Sequence, residues 1–130
     1  MIALDTSAIV AIALAEPEEE SYSRILAAQG GFVGTPTLFE TRLVLSTKVG
    51  DRADNFMHRF LAQSSVQPVE FTLAMYQEAA RAFDRFGRGR HNAGLNFGDC
   101  MAYAVAKAHD VRLLYKGADF ARTDIAPALP

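Results

Sequence analysis

An α/β fold with a parallel sheet covered by helices is predicted by the regular alternation of short apolar runs with longer helical stretches. A second observation supports it: acids follow the first and last of these runs, where ligands collect in an open parallel sheet. Residues 1–5 read as a short buried strand, Met1-Ile2-Ala3-Leu4, closed by Asp5. Helices are expected near 7–15 and 17–29. The run Glu16-Pro17-Glu18-Glu19-Glu20 is an acidic helix start favoured by the helix dipole, read as solvated and not as a ligand cluster. A strand near 31–34 precedes helices near 36–49 and 51–63; Thr35 suits a cap, Pro36 a first helical position and Gly50 a stop. A strand near 66–70 and a helix near 72–86 follow. After a glycine-containing basic loop come a helix near 97–109, a strand at 111–115 and a short closing segment near 124–128, with an irregular end. No linker or low-complexity segment interrupts residues 1–130, so one domain is expected, and half of the 130 residues are hydrophobic, enough for a sizeable core.

Four acids sit where solvated acids would not be expected. Asp5 lies at the carboxyl end of the first strand; it either caps the following helix or faces a ligand crevice. Glu40 shares a helical stripe with Leu43 and Val44, which turns it toward the core side. Asp99 stands three residues after Asn96, a capping-box arrangement, yet shares its stripe with Ala102, Tyr103 and Ala106. Asp119 follows the last strand through Lys116-Gly117-Ala118 and repeats the placement of Asp5; if the two strands pair, the acids are neighbours. Asp124 is a second choice that also fits an ordinary turn. Carboxylates embedded in apolar segments call for a counter-charge, and a divalent cation is the simplest.

The opening Met1 to Val10, Thr37-Leu38-Phe39-Glu40, Leu95 to Cys100 and Lys116 to Ile125 resemble the PIN-domain family and, more narrowly, the VapC toxins. The resemblance spans nearly the whole chain with its motifs in order. It implies a three-layer α/β/α domain around a central, mostly parallel sheet. It also implies a Mg²⁺-dependent endoribonuclease that hydrolyses RNA phosphodiester bonds, is neutralised by a VapB-like antitoxin, and forms a homodimer. The family's acidic positions carry over onto Asp5, Glu40, Asp99 and Asp119 as catalytic and metal-binding residues. At one position the chain departs from the pattern: Ala118 stands where relatives often place an acid, which leaves Asp119 and Asp124 as alternatives for the fourth.

With 13 basic and 15 acidic residues, the chain lacks the general basic surface of a nucleic-acid binder, so any RNA contact is local. Arg88, Arg90 and His91, just beyond a helix end, are candidates, because guanidinium groups pair with phosphate oxygens. Lys116 can extend this patch, while Arg81 and Arg85 fit a basic helix end. Thr6 and Ser7 are placed to hydrogen-bond around the site. The lone Cys100 forms no internal disulfide and suits a reducing cytoplasm. The first residues lack a basic leader, and the apolar stretch from Ala8 breaks at Glu16-Pro17, short of the roughly 20 residues that span a bilayer; no membrane role is expected.

Hard carboxylate oxygens select Mg²⁺, with Mn²⁺ an alternative, and such ions activate water and bind phosphate oxygens. Asp5, Asp99 and Asp119 are the direct ligands in this reading; Glu40 either ligates or holds a ligating water. Two rivals are a catalytically silent PIN-like interaction module and a receiver-like Mg²⁺-binding signalling domain. The receiver fits less well, because it wants paired acids after the first strand, where only Asp5 stands.

Overall fold

The computed structural model describes residues 1–130. Strands β1 (Ile2–Leu4), β2 (Gly31–Gly34), β3 (Val66–Val69) and β4 (Leu113–Leu114) form one sheet in the order β3-β2-β1-β4, every pair parallel. Around it run helices α1 (Thr6–Ala13), α2 (Glu19–Gln29), α3 (Thr35–Val49), α4 (Arg52–Ala62), α5 (Leu73–Phe86) and α6 (Phe97–His109), with a short 3-10 turn at Phe120–Arg122.

The layers follow from strand alternation, since successive side chains point to opposite faces. Ala3 and Leu113 enter an apolar cluster with α5 and α6. Ile2, Leu4 and Leu114 enter the opposite one, with Ile9, Tyr22, Leu26 and Phe60 of α1, α2 and α4. A helical layer therefore lies on each face of the sheet. This explains why β1 carries no polar residue: it is buried on both sides. On the α5–α6 side, small side chains let the helix come close. Ala102, Ala104 and Ala106 are buried, and a Cβ on Gly34 would stand 2.8 Å from Val105 Cγ2.

The strand order points to a candidate ligand crevice. The chain steps outward from β1 to β2 to β3 and then crosses back to place β4 on the other side of β1. The register pairs Ala3 with Leu113 and Leu4 with Leu114. The order reverses between β1 and β4, and ligands of open α/β sheets bind beyond the carboxyl ends at such a point.

Several boundaries differ from the sequence expectation. The strand at 111–115 shrinks to Leu113–Leu114 because Asp110, at φ 52, still caps α6 in the left-handed conformation. The closing segment adds a bridge from Pro127 to Leu113, with Leu113 N donating to Ala126 O at 3.0 Å and Ala128 N to Leu113 O at 2.8 Å. Helix α3 is capped by Gly34 without a side-chain bond, and Thr35 is already helical. Helix α2 starts at Glu19, because Pro17 sits in the preceding turn.

Candidate active site

Asp5 is placed by the sheet itself: its N–H donates to Leu114 O at 3.0 Å, so β4 holds the carboxyl end of β1 in line. Its side chain caps α1, accepting from Ser7 N at 3.0 Å and Ser7 Oγ at 2.6 Å. Both bonds fall on Oδ2, which leaves Oδ1 for another partner. Asp5 is 5 % exposed. Burial pushes its carboxyl up to about 6; the Ser7 bonds oppose this, and the charges of Asp99 and Glu40 add to it. The helix cap and the buried candidate acid are thus one residue. Ser7 Oγ also accepts from Lys116 N at 2.9 Å, linking the α1 start to the loop after β4.

Glu40 comes from α3. Thr6 Oγ1 donates to its Oε1 at 2.6 Å, and Thr41 Oγ1 stands 3.3 Å from the same Thr6 hydroxyl while donating to Thr37 O at 2.8 Å. The reason drawn from Leu43 and Val44 does not hold, since Leu43 is 53 % exposed. The buried stripe of α3 is Thr37, Thr41 and Leu45, and Glu40 sits at its edge. Thr41 escaped the sequence reading. Its signal was the four-residue spacing of Thr37, Thr41 and Leu45 along one helical face.

Asp99 opens α6 with a reciprocal capping box: Asp99 N donates to Asn96 Oδ1 at 2.8 Å, and Asn96 N donates to Asp99 Oδ2 at 3.1 Å. Its carboxyl is raised, chiefly by burial and then by the negative charges of Asp119 and Glu40; the Asn96 bond and the Arg88 charge pull the other way. Asp119 is exposed and leads into the turn Phe120–Arg122. Asp5, Glu40, Asp99 and Asp119 therefore share one electrostatic neighbourhood at the reversal of strand order. Asp124 lies outside it. Its carboxylate accepts from Tyr103 Oη at 2.7 Å, Lys107 Nζ at 3.0 Å and Arg85 Nη1 at 3.4 Å. Burial works against its ionisation, but these bonds prevail and lower its pKa.

The basic candidates separate. Arg88 is close enough to lower the Asp99 pKa. Arg90 lies over the Phe83 ring at 5.1 Å, with Asp84 3.9 Å away. His91 Nδ1 accepts from Ala93 N at 3.0 Å and its ring meets Phe86 edge-on. The loop holding all three is closed by a bridge between Gly87 and Leu95. The Lys116 ammonium pairs with Glu16 at 3.1 Å and Glu18 at 3.2 Å. Those two acids, expected to be solvated, serve as its counter-charges. Arg81 pairs with Glu78, as befits a helix surface. Cys100 is buried and unpaired.

Residues 2–126 match the PIN domain family. The chain belongs to the PIN-domain family. Among PIN-domain relatives it is 37% identical over 129 residues to ribonuclease VapC30 of Mycobacterium tuberculosis, covering 98% of each chain, and so belongs with the VapC ribonucleases. The crystal structure of Mycobacterium tuberculosis VapC20, described as a Sarcin-Ricin loop cleaving toxin, superposes with a TM-score of 0.79 over 100% of both chains at 18% identity. VapBC2 from Rickettsia felis, solved bound to a DNA fragment from its promoter, gives a TM-score of 0.77 at 17% identity, covering 98% of this chain and 96% of that one. These two likenesses establish the PIN fold, with its parallel sheet between helical layers.

Proposed function

We propose that this protein is a divalent-metal-dependent endoribonuclease toxin that hydrolyses RNA phosphodiester bonds and is neutralised by a VapB-like antitoxin. The observation that carries the reading is the buried Asp5 carboxyl at the end of β1, on which the charges of Glu40 and Asp99 act, in a chain 37% identical to a VapC ribonuclease.

The donor set is all hard oxygen, which fits Mg²⁺ first and Mn²⁺ second. No three of the His, Cys, Asp and Glu side chains converge tightly enough to enclose one ion. Mg²⁺ is usually bound through one or two carboxylates and keeps several waters, so a full protein cage is not required for it. Asp5 and Asp99 would hold it directly, and Asp119 and Glu40 would reach it through its waters. When bound, such an ion supplies Lewis acidity and a water of lowered pKa. The chain's own part is positional. Ser7 orients Asp5, Thr6 orients Glu40, the Asn96 box orients Asp99, and Arg88, whose charge acts on Asp99, is available to a substrate phosphate.

Partners follow from the same reading: the RNA, the antitoxin and a second copy of the chain. Phe39, Leu43, Tyr76 and Phe97 are 65 %, 53 %, 60 % and 79 % exposed, an apolar set on α3, α5 and α6 that a homodimer would cover. No helix is long and apolar enough to cross a membrane. The lone Cys100 suits a reducing cytoplasm as the place of action.

The test is cleavage of total RNA by purified, antitoxin-free protein with Mg²⁺, Mn²⁺ or EDTA, beside Asp5→Asn and Asp99→Asn. Discrete metal-dependent cuts that vanish in both variants are expected. Activity surviving EDTA or the substitutions would count against the reading, and no cleavage by folded wild type would favour the silent interaction module.

A further inference from the structure

We infer that Gly98 is a positioning residue, which acts by leaving open the space the Glu40 carboxylate occupies against the first turn of α6. This rests on the nuclease reading above. Gly98 is the second residue of α6, directly before Asp99, and is buried. A Cβ built on it would overlap Glu40 Oε2 and stand 2.5 Å from Cδ and 2.6 Å from Oε1. The backbone does not demand glycine here, for Gly98 is not among the glycines of positive φ, which are Gly30, Gly50, Gly89, Gly94 and Gly117. The three atoms nearest that added Cβ all belong to the Glu40 carboxylate.

The obstructed group is the far end of a flexible side chain. The substitution Gly98→Ala would displace it without moving either helix backbone, and alanine is the better helix former. Displacement has a defined consequence, because Oε1 is held at 2.6 Å by Thr6 Oγ1. A methyl group at this position forces the carboxylate out of that bond. Gly98 thereby couples the start of α6, which carries Asp99, to α3, which carries Glu40.

The experiment is a double-mutant cycle of Gly98→Ala and Glu40→Ala, read by RNA cleavage, Mn²⁺ affinity and melting, with a crystal structure of Gly98→Ala. Gly98→Ala is expected to lose about 10–100-fold in cleavage, as removal of an orienting partner does, with weakened Mn²⁺ binding, an unchanged or higher Tm and no Thr6–Glu40 hydrogen bond. In the Glu40→Ala background the same change should cost nothing further, since its target is gone. Wild-type activity in Gly98→Ala, an intact Thr6–Glu40 bond, a lowered Tm that accounts for the loss, or full additivity would each overturn the assignment. Wild type that cleaves no RNA would instead overturn the nuclease reading, and the crystal structure of the variant would still decide the role of Gly98.

Discussion

Thr6 and Glu40, 34 residues apart in the chain, are joined by a 2.6 Å hydrogen bond from the Thr6 hydroxyl to Glu40 Oε1. Thr6 is 8 % exposed, so the bond is sheltered on the donor side. Thr6→Val keeps the shape and removes the donor. A loss of about 10–100-fold in kcat/KM for RNA is expected, with recovery in Thr6→Ser, and steady-state cleavage of a defined RNA checks it.

The Asp5 carboxyl titrates near 6 in the folded chain against 3.8 as the ordinary value, with burial as the main cause. The unfolded chain releases this proton at lower pH, so Asp5 subtracts stability progressively as pH rises from about 4 to about 6 and by a constant amount above. The full effect is on the order of 3 kcal/mol at most. Asp5→Asn should therefore raise the Tm of metal-free protein at neutral pH relative to wild type, with the advantage vanishing near pH 4. A pH series of melting curves measures it.

A cation held by these carboxylates stabilises the folded state according to RT ln(1 + [L]/Kd), roughly 2.7 kcal/mol at a hundredfold excess over Kd. Millimolar Mg²⁺ or Mn²⁺ should raise the Tm of wild type and shift Asp5→Asn and Asp99→Asn less. Equal shifts in all three would place the ion elsewhere.

Asp119 and Asp124 differ in surroundings: Asp119 acts on Asp99, and Asp124 is bonded to Tyr103 and Lys107. Asp119→Asn should reduce cleavage, because its charge acts on Asp99. Asp124→Asn should leave cleavage in place and cost no more than about 1 kcal/mol of stability, since its ion pairs with Arg85 and Lys107 are partly solvated. Denaturant unfolding alongside the RNA assay distinguishes the two.

Arg88 and Arg90 differ in surroundings: Arg88 acts on the acid cluster, and Arg90 rests on Phe83. Arg88→Ala should weaken RNA binding and lower the slope of log K against log salt by about 1. Arg90→Ala should change that slope less. Binding to a catalytically inactive Asp5→Asn protein across a salt series provides the measurement.

Much of the fold was legible because its signals are local. Apolar runs marked the four strands, and Gly50 and Asn96 marked helix ends that the structure keeps. Asp5 and Asp99 each offered two readings, cap or site acid. The structure shows that both caps exist and that both carboxyls also feel the other acids, so capping does not rule out the site reading. Glu40 was chosen for an unsound reason. Leu43 faces outward, and the inner face of α3 is lined by threonines that hydropathy does not mark as core.

What the sequence by itself determined is the alternation of elements and the positions of acids at strand and helix ends, because period, capping and turn chemistry act over a few residues. What only the tertiary structure decided is which distant groups meet. Examples are Thr6 with Glu40, Lys116 with Glu16 and Glu18, Asp124 with Tyr103 and Lys107 instead of the acid cluster, and Gly98 against the Glu40 carboxylate. Those partners are brought together by the crossing of β4 beside β1 and by the close packing of α6 on the sheet, and no local spacing in the chain specifies them.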